Sequence, residues 1–161
     1  MEKFTFFWRV DEEPYGCFSQ WFWCKFFHND IEYNCAEQWM MASKARLFND
    51  QETLAKIMAT DDPRTQKKLG RAVKNFDEAE WNKVAKTCVH FGNRYKFEQN
   101  PKLKEILLAT AGTTLVEASP YDAIWGIGLT ADDPRALTRE TWLGTNWLGE
   151  VLTNLREHLK K

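Results

Sequence analysis

Apolar and polar positions alternate along the first part of the chain. Every second residue over 4–8 is aromatic, and a dense apolar run, WFWCKFF at 21–27, precedes the turn-forming sequence His-Asn-Asp at 28–30. A period of two is typical of β-strands, and Asn and Asp favour tight turns. The pattern therefore predicts short strands here, with residues 31–33 as the return strand of a hairpin.

From residue 34 onwards, apolar positions recur every three to four residues, which is the period of an α-helix. Each of six helical segments follows a residue that can cap a helix N-terminus. Asn34 with Glu37 resembles a capping box for the first helix, which is expected to run to about Phe48. The predicted starts of the others are Asn49-Asp50, Asp62-Pro63, Asp77, Asn100-Pro101 and Asn146.

Two segments depart from the helical period. Residues 113–119 (TTLVEAS) are typical of a strand, and residues 120–145 form a long connection rich in Pro, Gly and Asp. Connections of this length are uncommon in compact domains and are often functional. We therefore predict one α+β domain over residues 1–161, predominantly helical, with a few short N-terminal strands.

Composition is that of a globular protein, with 43% hydrophobic and 28% charged residues. The net charge of −1 gives no overall basic field that would attract nucleic acid or a membrane, although a local basic patch stays open. No apolar stretch approaches the roughly 20 residues that cross a bilayer, and no signal peptide is visible. Four cysteines without a CxxC pair indicate reduced thiols, so a cytoplasmic location is expected.

Several common site motifs are absent from the sequence. There is no GxGxxG after a strand, no phosphate-binding GxxxxGK[ST], no HExxH and no GxSxG. The three histidines are isolated, so no metal site and no cofactor are expected. If the chain is an enzyme, a mechanism based on carboxylate or lysine groups remains.

The first predicted helix carries the most suggestive pair of side chains. Glu37 and Lys44 are seven positions apart, which at roughly 100° per residue places both on one face, with Met40 and Met41 between them. An apolar surrounding would raise the pKa of the carboxyl group and lower that of the amine, towards use as acid and nucleophile. In the alternative, Glu37 caps its helix and Lys44 is a solvated lysine.

A second candidate is the loop SPYDAIWGIGL, residues 119–129. Asp122 could bind ribose hydroxyls or stabilise positive charge at an anomeric carbon, and Trp125 could stack on a base. The alternative is a turn with a buried tryptophan.

A third candidate is the segment WLGTNWLG, residues 142–149. There Gly144 and Asn146 precede the last helix, whose N-terminal N–H groups could hold a phosphate. Otherwise Asn146 is only an N-cap.

Motifs of moderate specificity follow one another along nearly the whole chain: FSQW (18–21), CAEQWMMASKARLF (35–48), KKLGRAV (67–73), FDEAEW (76–81), GNRYKFEQNPKLKEILLAT (92–110), LVEASPYDAIWGIGL (115–129) and WLGTNWLG (142–149). This ordered set resembles the NADAR family, also called YbiA-like. The resemblance implies hydrolysis of a bond between ribose C1 and a base nitrogen, without metal or cofactor.

The resemblance also implies roles for individual residues. Lys44 is expected to attack C1 of a ring-opened ribose and form a Schiff base, with Glu37 as proton donor and acceptor. In the direct alternative, Glu37 activates water and Lys44 acts electrostatically. Asp122 completes the implied catalytic set. The implied substrate contacts are Ser19, Trp81, Trp125, Gly126 and Asn146, with core packing as the alternative for Trp81.

The resemblance implies two kinds of substrate. Riboflavin-associated members carry FSNF and P-T-x-E-H-Y, whereas this chain has FSQW and NCAEQW. The D-x-x-W-G-I-G-L segment (122–129) and CAEQ (35–38) look more like the branch acting on ADP-ribosylated nucleic acid. We therefore expect removal of ADP-ribose from guanine in single-stranded or flipped-out DNA, as a DNA-repair or antitoxin-like activity, over hydrolysis of phosphoribosylamino riboflavin intermediates. An ADP-ribosyltransferase toxin would be a counterpart rather than a bound partner. A non-catalytic ADP-ribose reader remains the alternative of another class.

Overall fold

The computed structural model describes all residues, 1–161. In chain order the elements are β1 (Phe4–Phe7), β2 (Phe26–His28), β3 (Ile31–Tyr33), α1 (Ala36–Leu47), α2 (Gln51–Met58), α3 (Pro63–Arg71), α4 (Glu78–Glu98), α5 (Pro101–Leu108), β4 (Thr114–Glu117) and α6 (Trp147–Leu159). Short 3-10 turns lie at Tyr15–Phe18, Pro134–Leu137 and Arg139–Thr141. Six helices with a few short strands confirm the predicted α+β, predominantly helical class.

The chain forms two compact units. One, the split unit, contains residues 1–19 and 101–161, and the other, the central unit, contains residues 20–100. The prediction of one domain over residues 1–161 stays a prediction. None of the helices combines the length and the apolar character needed to span a bilayer.

In the split unit, β1 and β4 pair in parallel, with Phe4 opposite Thr114 and Phe7 opposite Glu117. Helix α6 packs on β4, where the Thr153 hydroxyl accepts a hydrogen bond from the Leu115 N–H at 2.9 Å. A Cβ atom on Gly149 would lie 2.1 Å from the Leu115 carbonyl oxygen, so glycine is what lets the helix approach the strand this closely. A small apolar core of Val116, Ala118, Ile127, Leu129 and Ala136 is buried in this unit.

In the central unit, β2 and β3 form the predicted antiparallel hairpin. Asn29 and Asp30 take up the left-handed conformation, with φ of 52° and 63°, which a two-residue hairpin turn requires. Helix α1 packs against α2, α3 and α4, and buries most of its residues, so it is the central helix of this unit.

Three of the predicted helix caps are confirmed. The carboxylates of Asp50, Asp62 and Asp77 accept hydrogen bonds from N–H groups in the first turns of α2, α3 and α4. Aspartate is effective here because it satisfies orphan donors and complements the positive end of the helix dipole.

One predicted cap is wrong, and one predicted strand is shorter than its apolar run. Cys35, not Asn34, is the N-cap of α1, and the reciprocal bond comes from Gln38, whose side chain accepts from the Asn34 N–H at 2.9 Å. Helix α5 begins at Pro101, as the Asn100-Pro101 sequence predicts, and the Asn100 side chain donates to the carbonyls of Lys25 and Lys96, at 3.0 and 2.8 Å. Within the run 21–27 the strand begins only at Phe26, although the Cys24 N–H still donates to the Asn34 carbonyl at 2.9 Å.

Candidate functional site

Helix α1 presents Glu37 and Lys44 from within the central unit. Glu37 lies in the first turn of the helix, where a carboxylate complements the helix dipole, and its side chain is 6% exposed. Its N–H donates to the Gln20 carbonyl at 2.9 Å, which fixes the start of the helix. The carboxylate is therefore held in a largely water-excluded position two turns before Lys44.

Lys44 sits in an environment that lowers the pKa of its amine. Burial lowers the pKa of Lys44 below its usual range, and the Arg71 guanidinium lowers it further, while the Glu37 carboxylate acts in the opposite direction. The Lys44 Nζ lies 4.5 Å from the centroid of the Phe76 ring. Desolvation and a neighbouring cation are the two ways in which proteins activate a lysine nucleophile. Because Lys44 is only half-buried, the solvated-lysine alternative stays open.

A close helix contact brings Arg71 towards Lys44. A Cβ atom on Gly70 would lie 2.0 Å from the Met41 sulfur, so the Met41 side chain packs directly against this glycine. Arg71 follows Gly70 directly, and Met41 precedes Lys44 by three residues on α1. The Gly70–Met41 contact thus lies next in sequence to the second cation that acts on the amine.

Two buried amide side chains lie beside the start of α1. The Asn93 Nδ2 donates to the Gln20 Oε1 at 2.9 Å and to the Val89 carbonyl at 2.8 Å, and the Gln20 Nε2 reaches the Met40 sulfur at 4.0 Å. The Oδ1 of Asn93 is buried and has no hydrogen-bond partner. Asn93 of α4 is thus joined to Gln20, whose backbone carbonyl accepts the hydrogen bond from the Glu37 N–H.

Two other side chains of the central unit are less suited to contact a substrate directly. Burial raises the pKa of the Cys35 thiol to about 12, which leaves it protonated and poorly nucleophilic. Trp81 is 7% exposed, a burial that matches the core alternative rather than an open stacking surface.

In the split unit, the loop after β4 is organised by Asp122. Its Oδ1 accepts hydrogen bonds from the N–H groups of Ile124 and Trp125, at 2.9 and 2.8 Å. A Cβ atom on Gly126 would lie 2.9 Å from the carbonyl oxygens of both Asp122 and Glu117, so this position requires glycine. Asp122 therefore shapes the loop through Oδ1, while no hydrogen bond occupies Oδ2.

Trp125 and Trp147 form an edge-to-face pair in the split unit, with ring centroids 5.4 Å apart. Trp125 is half-buried, so part of its ring remains open to solvent. Tyr121, on the same loop, is 88% exposed. The loop thus offers aromatic surface for stacking, as the sequence predicts for Trp125.

The structure does not support the predicted phosphate site at the start of α6. The N–H groups of Asn146, Trp147 and Leu148 donate to three carbonyls of the Asp122 loop, at 3.0, 3.0 and 3.1 Å. An anion needs free N–H groups, and these are already bonded. Asn146 itself adopts the left-handed conformation and makes no side-chain cap.

The side chain of Asn146 instead joins α6 to β4. Its Oδ1 accepts from the Glu117 N–H at 2.9 Å, and its Nδ2 donates to the Leu115 carbonyl at 3.0 Å. With 1% of its surface exposed, Asn146 contributes to the architecture of the loop and not to contact with a ligand. The sequence could not distinguish the two roles, because asparagine suits both.

We expect replacement of Asn146 by alanine to lower the free energy of unfolding by about 3 kcal/mol, because two buried backbone groups lose their partners and alanine disfavours a positive φ. Chemical denaturation would measure the change. Asn146→Gly keeps the backbone conformation, so it should lose about 1 kcal/mol less stability than Asn146→Ala. Asn82→Ala, on the exposed surface of α4, should leave stability nearly unchanged. A loss for Asn146→Ala no larger than for Asn82→Ala would contradict this role.

An open cavity of about 450 Å³ lies in the split unit, beyond the C-terminal ends of the parallel strands β1 and β4. Its lining includes Trp8, Arg9, Asp11, Ala118, Thr130 and Asp132. Ligands commonly bind beyond the C-terminal ends of parallel strands. The Trp8 ring, which packs near Tyr121 with centroids 5.9 Å apart, connects this cavity to the Asp122 loop.

The predicted site residues fall in both units. The central unit contains Glu37, Lys44 and Trp81, and the split unit contains Ser19, Asp122, Trp125, Gly126 and Asn146. Ser19 is buried at 8% exposure, and its N–H donates to the Gly16 carbonyl at 3.1 Å. Nowhere do three or more His, Cys, Asp or Glu side chains converge as a metal site would require.

Sequence reasoning missed two features of the central unit. Arg71 acts on Lys44 through the packing of α3 on α1, and the signal available was the run of basic residues between Pro63 and Phe76. No sequence signal predicted the buried Gln20–Asn93 pair. Asn and Gln side chains are usually exposed, and these two lie far apart in the chain.

The chain is similar to several characterised proteins. It is 45% identical to an N-glycosidase of Acanthamoeba polyphaga mimivirus, over 97% of this chain and 96% of that protein. It is 28% identical to a riboflavin biosynthesis protein of Vibrio vulnificus, of which it spans 40%. The NMR structure of the Escherichia coli protein YbiA is similar with a TM-score of 0.81 at 28% identity, over 99% of this chain and 87% of that one.

A family model for the NADAR domain matches residues 6–160, which is almost the entire sequence. The mimivirus relative is similar over nearly the full length of both chains. The similarity therefore covers both units and is not limited to a shared motif. The YbiA structure has the same fold over nearly its whole length. The chain therefore belongs to the NADAR family, with a YbiA-like fold.

Proposed function

We propose that this chain is an N-glycosidase that removes ADP-ribose from guanine bases of DNA. The observation that carries the proposal is the desolvated Lys44 on the same helix face as the buried Glu37. A binding module has no evident need for an activated amine beside a carboxylate. The coarser part, hydrolysis of an N-glycosyl bond, is also supported by relatives from mimivirus and Nostoc punctiforme that are named N-glycosidases.

In the proposed reaction, the neutral Lys44 amine attacks C1 of the ribose. The ribose ring opens first: the lone pair of the base nitrogen forms a C1=N iminium as the bond between C1 and the ring oxygen breaks, and the ring oxygen takes a proton from Glu37. The Nζ–C1 bond then forms as the iminium electrons return to the base nitrogen, and the Glu37 carboxylate takes a proton from Nζ. The bond from C1 to the base nitrogen then breaks, with Glu37 giving its proton to the departing nitrogen and a protonated Schiff base remaining at Nζ. Water deprotonated by Glu37 adds to C1, and collapse of the adduct releases the aldehyde form of the sugar and the free amine.

Taken by itself, the Asp122 loop of the split unit has two side chains suited to binding. Asp122 is suited to bind ribose hydroxyls, because its Oδ2 is not used within the loop, and Trp125 is suited to stack on a flat base. Gly126 keeps the loop close to β4 and has no side chain to contact a ligand. The choice of DNA over a riboflavin intermediate rests on the D-x-x-W-G-I-G-L and CAEQ segments, and on FSQW in place of the FSNF of riboflavin-associated members.

The test is incubation of the purified protein with three substrates in parallel. We expect mass spectrometry to detect ADP-ribose released from a guanine-ADP-ribosylated single-stranded oligonucleotide. Hydrolysis of a phosphoribosylaminopyrimidine alone would identify the riboflavin-type reaction instead. Binding of free ADP-ribose with no reaction on either substrate would indicate a reader, and would overturn the assignment as an enzyme.

The rate should depend on pH through Lys44. Because burial and Arg71 lower the pKa of Lys44, the reactive neutral amine is present below pH 10.5, and kcat/KM should fall as pH drops through that lowered value. Arg71→Gln removes a like charge, so the inflection should move to higher pH. The pH profiles of wild type and variant check this, and superimposed profiles would contradict it.

A further inference from the structure

The strongest local charge in the molecule lies in and just after α3. Between Pro63 and Phe76 the chain has five basic residues and no acidic one, although its overall net charge is −1. The proposed function leaves most of these charges without a role. The basic residues are Arg64, Lys67, Lys68, Arg71 and Lys74.

Four of these side chains form one surface, which we call the basic face: Arg64, Lys67, Lys68 and Arg71. Spacings of three, four and seven residues place them along one side of the helix. Arg64, Lys68 and Arg71 are exposed and Lys67 is half-buried. Lys74 pairs with Glu52 at 3.5 Å, but the four residues of the basic face form no ion pair with any acidic group. Their charge is therefore available to an external anion.

An indole ring accompanies the first turn of the basic face. The guanidinium carbon of Arg64 lies 5.8 Å from the Trp21 ring centroid, and the Lys67 Nζ lies 6.0 Å from it. Aromatic rings interleaved with cations are the combination by which proteins bind single-stranded nucleic acid, since rings stack on bases and cations follow the phosphates.

The other end of the basic face approaches Lys44. Arg71 acts electrostatically on Lys44, and α3 packs against α1, with Gly70 next to Met41. From Arg64 to Arg71 the helix rises roughly 10 Å, which is longer than the diphosphate of one ADP-ribose and suits successive phosphates of a strand. A row of cations thus extends from Trp21 towards the proposed nucleophile.

We propose that the basic face and Trp21 bind the phosphodiester backbone of single-stranded DNA flanking the modified nucleotide. This inference rests on the proposed function for its substrate, but strand binding is measurable without any turnover. A local basic surface also explains how a chain with a net charge of −1 can bind nucleic acid, because affinity for a strand depends on local phosphate contacts and not on net charge.

The test compares two double variants that change the charge equally. Arg64→Glu/Lys68→Glu alters the basic face and leaves Lys44, Glu37 and Arg71 in place. Lys3→Glu/Lys102→Glu alters exposed lysines of the split unit and is the matched control. Fluorescence anisotropy with an unmodified oligothymidylate at several salt concentrations measures binding, and thermal unfolding followed by circular dichroism verifies that both variants are folded.

We expect the basic-face variant to bind the oligothymidylate about tenfold or more weakly, with the slope of log K against log salt shallower by about 1.4 for two lost phosphate contacts. The control should stay within about twofold of wild type. For the basic-face variant, release of ADP-ribose from a modified oligonucleotide should slow because KM rises. Its turnover of a single ADP-ribosylated nucleoside should not change.

Equal strand binding by the two variants would overturn the inference. So would selective loss of binding to free ADP-ribose, which would assign the basic face to the diphosphate. If the basic-face variant alone loses strand binding while wild type never releases ADP-ribose, the inference stands and the proposed reaction fails.

Discussion

Lys44→Ala is expected to reduce kcat by about 10³-fold or more while leaving the protein folded, because the nucleophile is removed from a position that is only half-buried. Wild type and variant would be compared by release of ADP-ribose, with circular dichroism to verify folding. A merely structural role for Lys44 would instead give a loss of stability with little change in kcat per folded molecule.

Two further experiments separate the covalent mechanism from direct attack by water. Sodium borohydride should trap the sugar on wild-type protein by reducing the Schiff base, with a mass increase at Lys44, and should trap nothing on Lys44→Ala. Lys44→Arg keeps the positive charge but cannot supply a neutral amine. Activity of Lys44→Arg close to that of wild type, with no trapped adduct, would favour the alternative in which Glu37 activates water and Lys44 acts electrostatically.

Glu37→Gln is expected to lower kcat by about 10²- to 10⁴-fold, because glutamine can neither donate a proton to the departing base nor accept one from water. It also removes the carboxylate that raises the pKa of Lys44. The inflection of the pH–rate profile should therefore move to lower pH, opposite in direction to the shift for Arg71→Gln. A pH profile of the residual activity measures both effects.

The control for Glu37 is Glu78→Gln, which makes the same change at an exposed position in the first turn of α4. It should leave kcat and the pH profile unaltered. If Glu37→Gln lowers stability but retains wild-type kcat, Glu37 is a helix-terminus residue and not an acid–base group. If the rate falls without any movement of the inflection, Glu37 does not act on Lys44.

The Asp122 loop of the split unit owes its shape to hydrogen bonds that the sequence does not reveal. Its carbonyls accept from the N–H groups at the start of α6, and glycine at 126 and 144 allows the two segments to touch. The same bonds remove the anion site that a helix N-terminus would otherwise offer.

The sequence by itself determined the helices and the hairpin. Periodicity and aspartate caps are local properties, since a capping carboxylate binds N–H groups two or three residues away, and the predicted starts at Asp50, Asp62 and Asp77 are confirmed. The family was also accessible from sequence, because its motifs recur in order. The helical spacing that places Glu37 and Lys44 on one face is equally local.

Only the tertiary structure decided what depends on distant segments. The parallel pairing of β1 with β4 joins residues more than one hundred positions apart, and Asn146 gains its buried role from β4. Arg71 acts on Lys44 through the packing of α3 on α1, a contact between two helices that no local pattern encodes. Side-chain desolvation and the pairing of polar groups arise when remote surfaces meet. The sequence therefore identified the candidate groups, and packing determined which of them are buried and which charges act on them.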